Sequence, residues 1–268
     1  MSVIYSPEEE FHLKIRTGDV GEYVILCGDP GRCEKIAKYF DDPEFIGSNR
    51  EYTIYTGSLE GVKISVCSTG IGGPSSAIAL EELVHCGADT FIRIGTSGGM
   101  NPDVMSGDVV IGTGAIRLEG TSREYAPIEF PAVANFQIVK ALVEAAEESG
   151  HPYHVGVLQC KDSFYGQHSP ETMPVGSELK FMWDAWIKSG ALASEMESAA
   201  LFVVGAVRRV RVGSIMAVFA NQTRRELGME DSVNFDTDAA IRIGVEAMKK
   251  LIKEDKAKSK KSKEEQKK

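Results

Sequence analysis

No apolar run in the chain of 268 residues approaches the ~18 residues that a membrane-crossing helix needs. The amino-terminal stretch MSVIYSPEEEFHLK lacks the basic-then-apolar pattern of a secretion signal. The five cysteines (Cys27, Cys33, Cys67, Cys86 and Cys160) are odd in number. They form no C-x-x-C and no cluster with metal-ligand spacing. Several sit in apolar runs, VILC and ISVC, where cysteine acts as a small hydrophobe. A disulfide framework and a zinc site are set aside, and a reduced, cytoplasmic setting is the expectation. The chain has no Walker loop and no dinucleotide fingerprint, and it shows no convincing Ser-His-Asp order. Its body also lacks a net positive charge. The net charge is −9, yet residues 249–268 hold ten lysines against four acids, so the rest carries −15 once that +6 is removed. An acidic body is a poor partner for nucleic acid. The Lys/Glu/Ser tail is expected to be solvated and disordered.

Hydrophobic residues make up 43%, enough for a large core. Apolar runs of strand length alternate with stretches of helical period. YVILCG (23–28), the pair 51–59 and 62–70 joined at Glu60-Gly61, DTFIRIG, DVVIGTG, 154–160 and 212–220 read as strands. Helices are predicted over 31–40, 74–86, 135–149 (ending at Gly150), 197–209 and 236–252. This alternation indicates an α/β fold with a mostly parallel or mixed sheet covered on both faces. One domain is expected over 1–252, followed by the tail, 253–268.

Three strand ends carry glycine with polar or charged residues: CGDPGR (27–32), STGIGGPSS (68–76) and RIGTSGG (93–99). Ligands in such folds bind where strands end and loops begin. Gly28 and Gly31 permit close backbone approach, and Arg32 opens a helix, whose free N–H groups favour an anion. Arg93 places a permanent charge inside an apolar strand. Either an acid or a bound anion must answer it. With Arg32 and Thr96 it supplies forked charged donors plus a neutral one, the set that a phosphate needs. In ASEMESAA (193–200), Glu195 and Glu197 lie two apart around Met196. They could face one side of an extended segment and accept hydrogen bonds from a diol such as ribose, or they could decorate a helix start. DSFYGQHS (162–169) offers Phe164, Tyr165, Gln167 and His168, an aromatic face and an amide suited to a flat heterocycle. An ordinary surface loop would look the same.

Taken in order, GDPGR, REYTIYTG, CSTGIGGPS, RIGTSG, EFPAVANF, DSFYGQ, EMESAAL and ANQTRRE closely resemble the hexameric nucleoside phosphorylases, in particular their uridine-cleaving bacterial members, from about Phe11 to Ile252. The resemblance implies a three-layer αβα sandwich around a mixed sheet, assembled as a trimer of dimers. It implies phosphate ligands at Gly28, Arg32, Arg93 and Thr96, with Arg50 reaching into the neighbouring subunit's phosphate site. It implies ribose contacts at Met196 and Glu197, with His12 capping the neighbour's ribose. It implies a base pocket at Phe164, Gln167 and Glu195, and a monovalent-cation site, most often potassium, at Glu51, Ile71 and Ser75 between subunits. Among these, Arg93, Glu197 and Gln167 would carry the catalysis.

The implied reaction is phosphorolysis of uridine to uracil and ribose 1-phosphate. Inorganic phosphate is the co-substrate, no organic cofactor is needed, and neither nucleic acid nor membrane is a partner. Purine members of the family use an aspartate on a late loop. This chain has Asn221 in that region, within FANQTRRE (219–226), which tilts the choice to pyrimidines. The alternatives are a purine or broad-specificity phosphorylase, a hydrolytic nucleosidase, or a nucleoside sensor on the same scaffold. Uridine-cleaving members also carry arginine where this chain has Ser169 and Gln222. The base must therefore be read differently here, with His168 or Arg224 as the candidates.

Overall fold

A computed structural model describes residues 8–265. The elements run β1 (Tyr23–Cys27), α1 (Pro30–Ala37), β2 (Asp41–Asn49), β3 (Tyr52–Leu59), β4 (Val62–Ser68), α2 (Gly73–His85), β5 (Thr90–Gly99), β6 (Val109–Leu118) and α3 (Thr121–Tyr125). There follow β7 (Ala132–Val133), α4 (Phe136–Ser149), β8 (Tyr153–Lys161), α5 (Phe164–His168), a 3₁₀ turn (Pro170–Thr172) and α6 (Gly176–Lys188). The chain closes with β9 (Ala193–Glu195), α7 (Ser198–Arg208), β10 (Arg211–Asn221), α8 (Gln222–Glu226) and α9 (Asp238–Glu265).

All strands join one mixed sheet in the order β10-β6-β8-β9-β5-β1-β4-β3-β2, with β7 beside β6. β10 also pairs with β5 in parallel, so five strands close into a ring, and β1, β4, β3 and β2 extend from it as a wing. All five residues of β1 are buried. This follows from the layering, because a strand covered on both faces has no solvent side. Tyr23, Ile25 and Cys27 face the core under α1, α4 and α9. Val24 and Leu26 face the core under α2 and α7. A third, small cluster of Val110, Leu158, Ala193, Met216 and Val218 fills the ring.

Local chemistry fixes the helix ends. Asp29 caps α1 by accepting the Gly31 N–H at 2.9 Å, with Pro30 in the first turn where its missing N–H matters least. Asn135 caps α4 by accepting the N–H groups of Gln137 and Ile138, and Gly150 ends it at φ 67°, the left-handed position that favours glycine.

The carboxyl end differs from expectation. Helix α9 continues past residue 252 to Glu265, where a disordered tail was expected from 253. Asp255 accepts from Tyr23 Oη at 2.9 Å and pairs with Arg211 at 2.6 Å, and Lys256 donates to the Glu60 carbonyl. Lys, Glu and Ala are good helix formers, and these contacts anchor the helix beyond the expected boundary. Residues 266–268 of the tail lie outside the described residues.

Candidate active site

β1, β4 and β5 are parallel neighbours, with Cys27 opposite Ser68 and Leu26 opposite Arg93. CGDPGR, STGIGG and RIGTSG therefore leave the sheet side by side. A Cβ at Gly28 would stand 3.3 Å from the Gly70 carbonyl oxygen. Arg32 Nη1 reaches across to the Ile94 carbonyl at 3.3 Å. Thr96 follows two residues later, half-buried.

Arg93 is 3% exposed. Strand period places it on the same face as Phe91, toward α7. Its Nε donates to Glu195 Oε2 at 3.3 Å and its Nη2 donates to Glu197 Oε2. Its Nη1 is buried and has no hydrogen-bond partner among the described residues. Burial works against the charge, but Glu197 and Glu195 hold the pKa above the ordinary arginine value. The guanidinium lies across Gly95, where a Cβ would stand 2.9 Å from Arg93 Nη2 and 2.5 Å from Met216 Sδ. Both answers to a buried arginine thus apply in part: two of its nitrogens face acids and the third has no partner.

The two glutamates differ in environment. Glu197 Oε1 accepts the Gly72 N–H at 2.6 Å, tying the second glycine loop to the start of α7. Burial raises its pKa, with Arg93 opposing. Half-buried Met196 separates it from Glu195. Glu195 accepts the N–H of Glu197 at 2.9 Å and of Ser198 at 3.0 Å, as well as Arg93 Nε. Glu195 is 4% exposed, like Glu197, and among the described residues its Oε1 accepts only the Ser198 N–H, so a lone-pair direction remains on that oxygen.

A cavity of about 820 Å³ opens beside this cluster, lined by Gln159, Lys161, Gln167, His168, Trp183 and Gln222 among others. The buried Ser194 hydroxyl lies behind three of these lining residues. It is 2.7 Å from Gln167 Oε1, is hydrogen-bonded to Gln159 Oε1, and accepts from Lys161 Nζ at 2.5 Å. One hydroxyl carries one proton, so Ser194 serves one of the two amides at a time. Gln167 Nε2 lies 3.5 Å from Gln222 Oε1. Burial pulls Lys161 down to about 8, against Glu195, Cys160 and Glu197. Burial, Lys161 and Arg225 all lower His168. Phe164 is 52% exposed and stacks at a tilt on His168, 4.3 Å between centroids.

Sequence reasoning missed Lys161, Gln159 and Ser194. A signal was present: Gln159 and Lys161 alternate at the carboxyl end of an apolar strand, as Glu195 and Glu197 do. One of its two candidates for reading the base is corrected. Arg224 is committed to backbone, with Nε to the Glu230 carbonyl at 2.8 Å and Nη1 to that of Pro102 at 2.5 Å. His168 does line the cavity. Asn221 is fully buried. It caps α8 through its side-chain oxygen, and its amide donates to the carbonyls of Asn101 and Val104, each at 2.8 Å.

The remaining candidates are Arg50, His12 and the Glu51, Ile71 and Ser75 group. Arg50 sits in the β2–β3 turn at φ 55°, exposed, and makes no hydrogen bond or ion pair among the described residues. His12 is held at its backbone N–H and at Nδ1 by Glu82, the latter at 2.6 Å, and Nε2 has no hydrogen bond among the described residues. Glu51, Ile71 and Ser75 gather round Gly70. A Cβ there would meet Glu51 Cγ at 2.8 Å and Ser75 Oγ at 3.5 Å, and Ser75 Oγ donates to the Ile71 carbonyl at 3.2 Å.

The family model described as "Phosphorylase superfamily" matches residues 22–254. A uridine phosphorylase of Treponema pallidum is 59% identical over 255 residues, 95% of this chain and 99% of the relative. One of Escherichia coli is 41% identical, covering 92% of this chain and all of the relative. A guanosine phosphorylase of Halorubrum lacusprofundi is 42% identical over 78% of this chain and 83% of the relative.

Proposed function

The chain belongs to the phosphorylase superfamily, and from that premise we propose that it cleaves uridine with inorganic phosphate, reversibly, giving uracil and ribose 1-phosphate. It is a pentosyltransferase. The observation that carries the phosphate is Arg93 Nη1, a buried cationic donor with no partner among the described residues, in the strand that runs on to Thr96 beside the strands that lead to Arg32 and the glycine loops. A buried donor left unmatched is costly, and a phosphate oxygen would satisfy it.

In the proposed reaction, Gly28, Arg32, Arg93 and Thr96 hold the phosphate below the sugar, with Arg50 contributed by a neighbouring subunit. Glu197 and Met196 hold the ribose, and the neighbour's His12 caps it. Each Glu197 oxygen has a second lone-pair direction beyond its present partner, which a ribose hydroxyl would use. Phe164 and Gln167 receive the uracil. Arg93 links the two halves, because the glutamate that orients the ribose also orients the guanidinium that faces the phosphate. Reaction then follows from alignment and charge stabilisation rather than from a side-chain nucleophile.

The 42% identity to a guanosine phosphorylase means that membership alone leaves the base open. Asn221 supports the pyrimidine. An amide offers no acid for a purine ring, and both of its N–H bonds are committed to carbonyls. The shared-site reading carries with it a homo-oligomer, a hexamer built as a trimer of dimers, and a cytoplasmic setting. The carboxylate of Glu51, the carbonyl of Ile71 and the hydroxyl of Ser75 form a set of oxygen donors compatible with a potassium ion between subunits.

The test is uridine cleavage with and without phosphate, with inosine alongside. Uracil release that requires phosphate, with little hypoxanthine, is the expected outcome. Release of free ribose without phosphate would make the protein a nucleosidase, and preference for inosine would overturn the pyrimidine assignment.

A further inference from the structure

Within the cavity at the base end, one buried cation has no counter-charge of its own. Lys161 is 9% exposed and makes no ion pair among the described residues. Its single hydrogen bond is to the Ser194 hydroxyl, at 2.5 Å, the hydroxyl that also contacts Gln167. The other cations lining this cavity, Arg123 and Lys180, are exposed at the rim. The neighbouring polar groups, Gln159 and Gln222, are neutral. A lysine is seldom left in such a place without a partner. Burial lowers its pKa, and Glu195, Cys160 and Glu197 only partly restore it. The carboxylates that also line the cavity, Asp162, Glu171, Glu178, Asp184 and Glu226, are exposed and make no ion pair with Lys161, so no carboxylate neutralises its ammonium at contact.

We propose that Lys161 is a catalytic residue that stabilises the departing base. Its ammonium would donate to a uracil carbonyl oxygen as negative charge develops there. The inference rests on the phosphorolysis reading above. In that step the C1′–N1 bond breaks and its electron pair leaves with the base. A phosphate oxygen forms the new bond to C1′. The negative charge spreads from N1 to the ring carbonyls. No redox partner enters, and no proton need move for the step to balance. The carbonyl is nearly neutral in bound uridine and strongly negative as the bond breaks. A desolvated ammonium therefore favours the transition state over the substrate. Ser194 holds Lys161 and Gln167 in fixed relation, so one neutral donor and one cation read the same edge.

The experiment compares uridine with 5-fluorouridine, whose base leaves more readily as an anion. Lys161→Met is expected to lower kcat on uridine by about 10²–10³-fold, the range for losing one charge-stabilising donor, and by less than about tenfold on 5-fluorouridine. The phosphate KM should stay within about threefold, since Lys161 lies outside the phosphate cluster. Lys161→Arg should recover most of the uridine rate. Lys161→Gln, which keeps a donor and loses the charge, reads the same substrate ratio should the methionine variant fail to fold. Equal losses on both substrates would overturn the proposal and leave Lys161 a structural group. Wild-type protein that failed to cleave uridine with phosphate would instead overturn the parent reading, before any variant is compared.

Discussion

Arg93 is the residue on which the phosphate reading turns. It sits in an apolar strand and pairs with both Glu195 and Glu197, yet one of its nitrogens has no partner among the described residues. Arg93→Lys keeps the charge and loses the fork. Because the two side chains are not interchangeable at such a site, kcat/KM for phosphate should fall by about 10²-fold or more. Steady-state rates at varied phosphate check this, and an unchanged phosphate dependence would remove Arg93 from the site. Lys161 shows the opposite balance between stability and activity. Its pKa is about 8 in the folded chain against an ordinary 10.5. Between those values the unfolded chain binds more protons, so this group makes stability rise with pH from about 8 to about 10.5. Below pH 8 the burial cost is fully present, about 3 kcal/mol. Lys161→Met removes that cost and the bond to Ser194, so it should stabilise the protein by about 1–3 kcal/mol at pH 7. The difference should fade by about pH 10.5. Denaturant titrations at pH 7 and pH 10.5 decide it, and a less stable variant at pH 7 would contradict the sign.

At the scale of elements, the loop after β10 is tied to two neighbouring segments through one residue. Asn221 joins the end of β10, the start of α8 and the Asn101–Val104 turn through one side chain. Asn221→Asp would keep the cap and turn two amide donors into a carboxylate facing carbonyls. The expected result is a loss of about 2–4 kcal/mol, from buried groups left unmatched, with no gain of inosine cleavage. Thermal melting and an inosine assay check both halves, and appreciable inosine turnover would show that this position alone selects the base. The strand and helix periods of β1, β5, α4 and α7 could be read from the sequence, because burial on both faces leaves long apolar runs and caps mark the ends. The pairing of β10 with β5 that closes the ring could not. It joins residues far apart in the chain and rests on register, not on local pattern.

For the whole molecule, the Arg50 guanidinium and the Nε2 of His12 have no hydrogen-bond partner among the described residues. Arg50 is exposed and has no partner among the described residues, so Arg50→Ala should leave stability within about 0.5 kcal/mol while weakening phosphate binding. The shared-site reading allows a sharper test. Arg50→Ala and Arg93→Met subunits, each nearly inactive alone, form mixed dimers in which one of the two sites has every ligand intact. Random mixing should restore about a quarter of wild-type activity, since half the dimers are mixed and half their sites are whole. No recovery on co-assembly would place Arg50 in its own subunit's site or in none.

The sequence by itself determined the layered α/β class, the three glycine-bearing strand ends and the resemblance that orders them, since each is written in a contiguous stretch. It left open how Arg93 is balanced, and it assigned Glu195 to the base. The tertiary structure decided the first. Glu195 and Glu197 share one segment, but the start of α7 spends Glu195 on backbone N–H groups and leaves Glu197 between Arg93 and Gly72. Only the fold brings β8 against β9, setting Lys161, Ser194 and Gln167 around one hydroxyl. A side chain's chemistry is local, but whether its charge has a partner depends on what packs around it, and those neighbours come from distant parts of the chain.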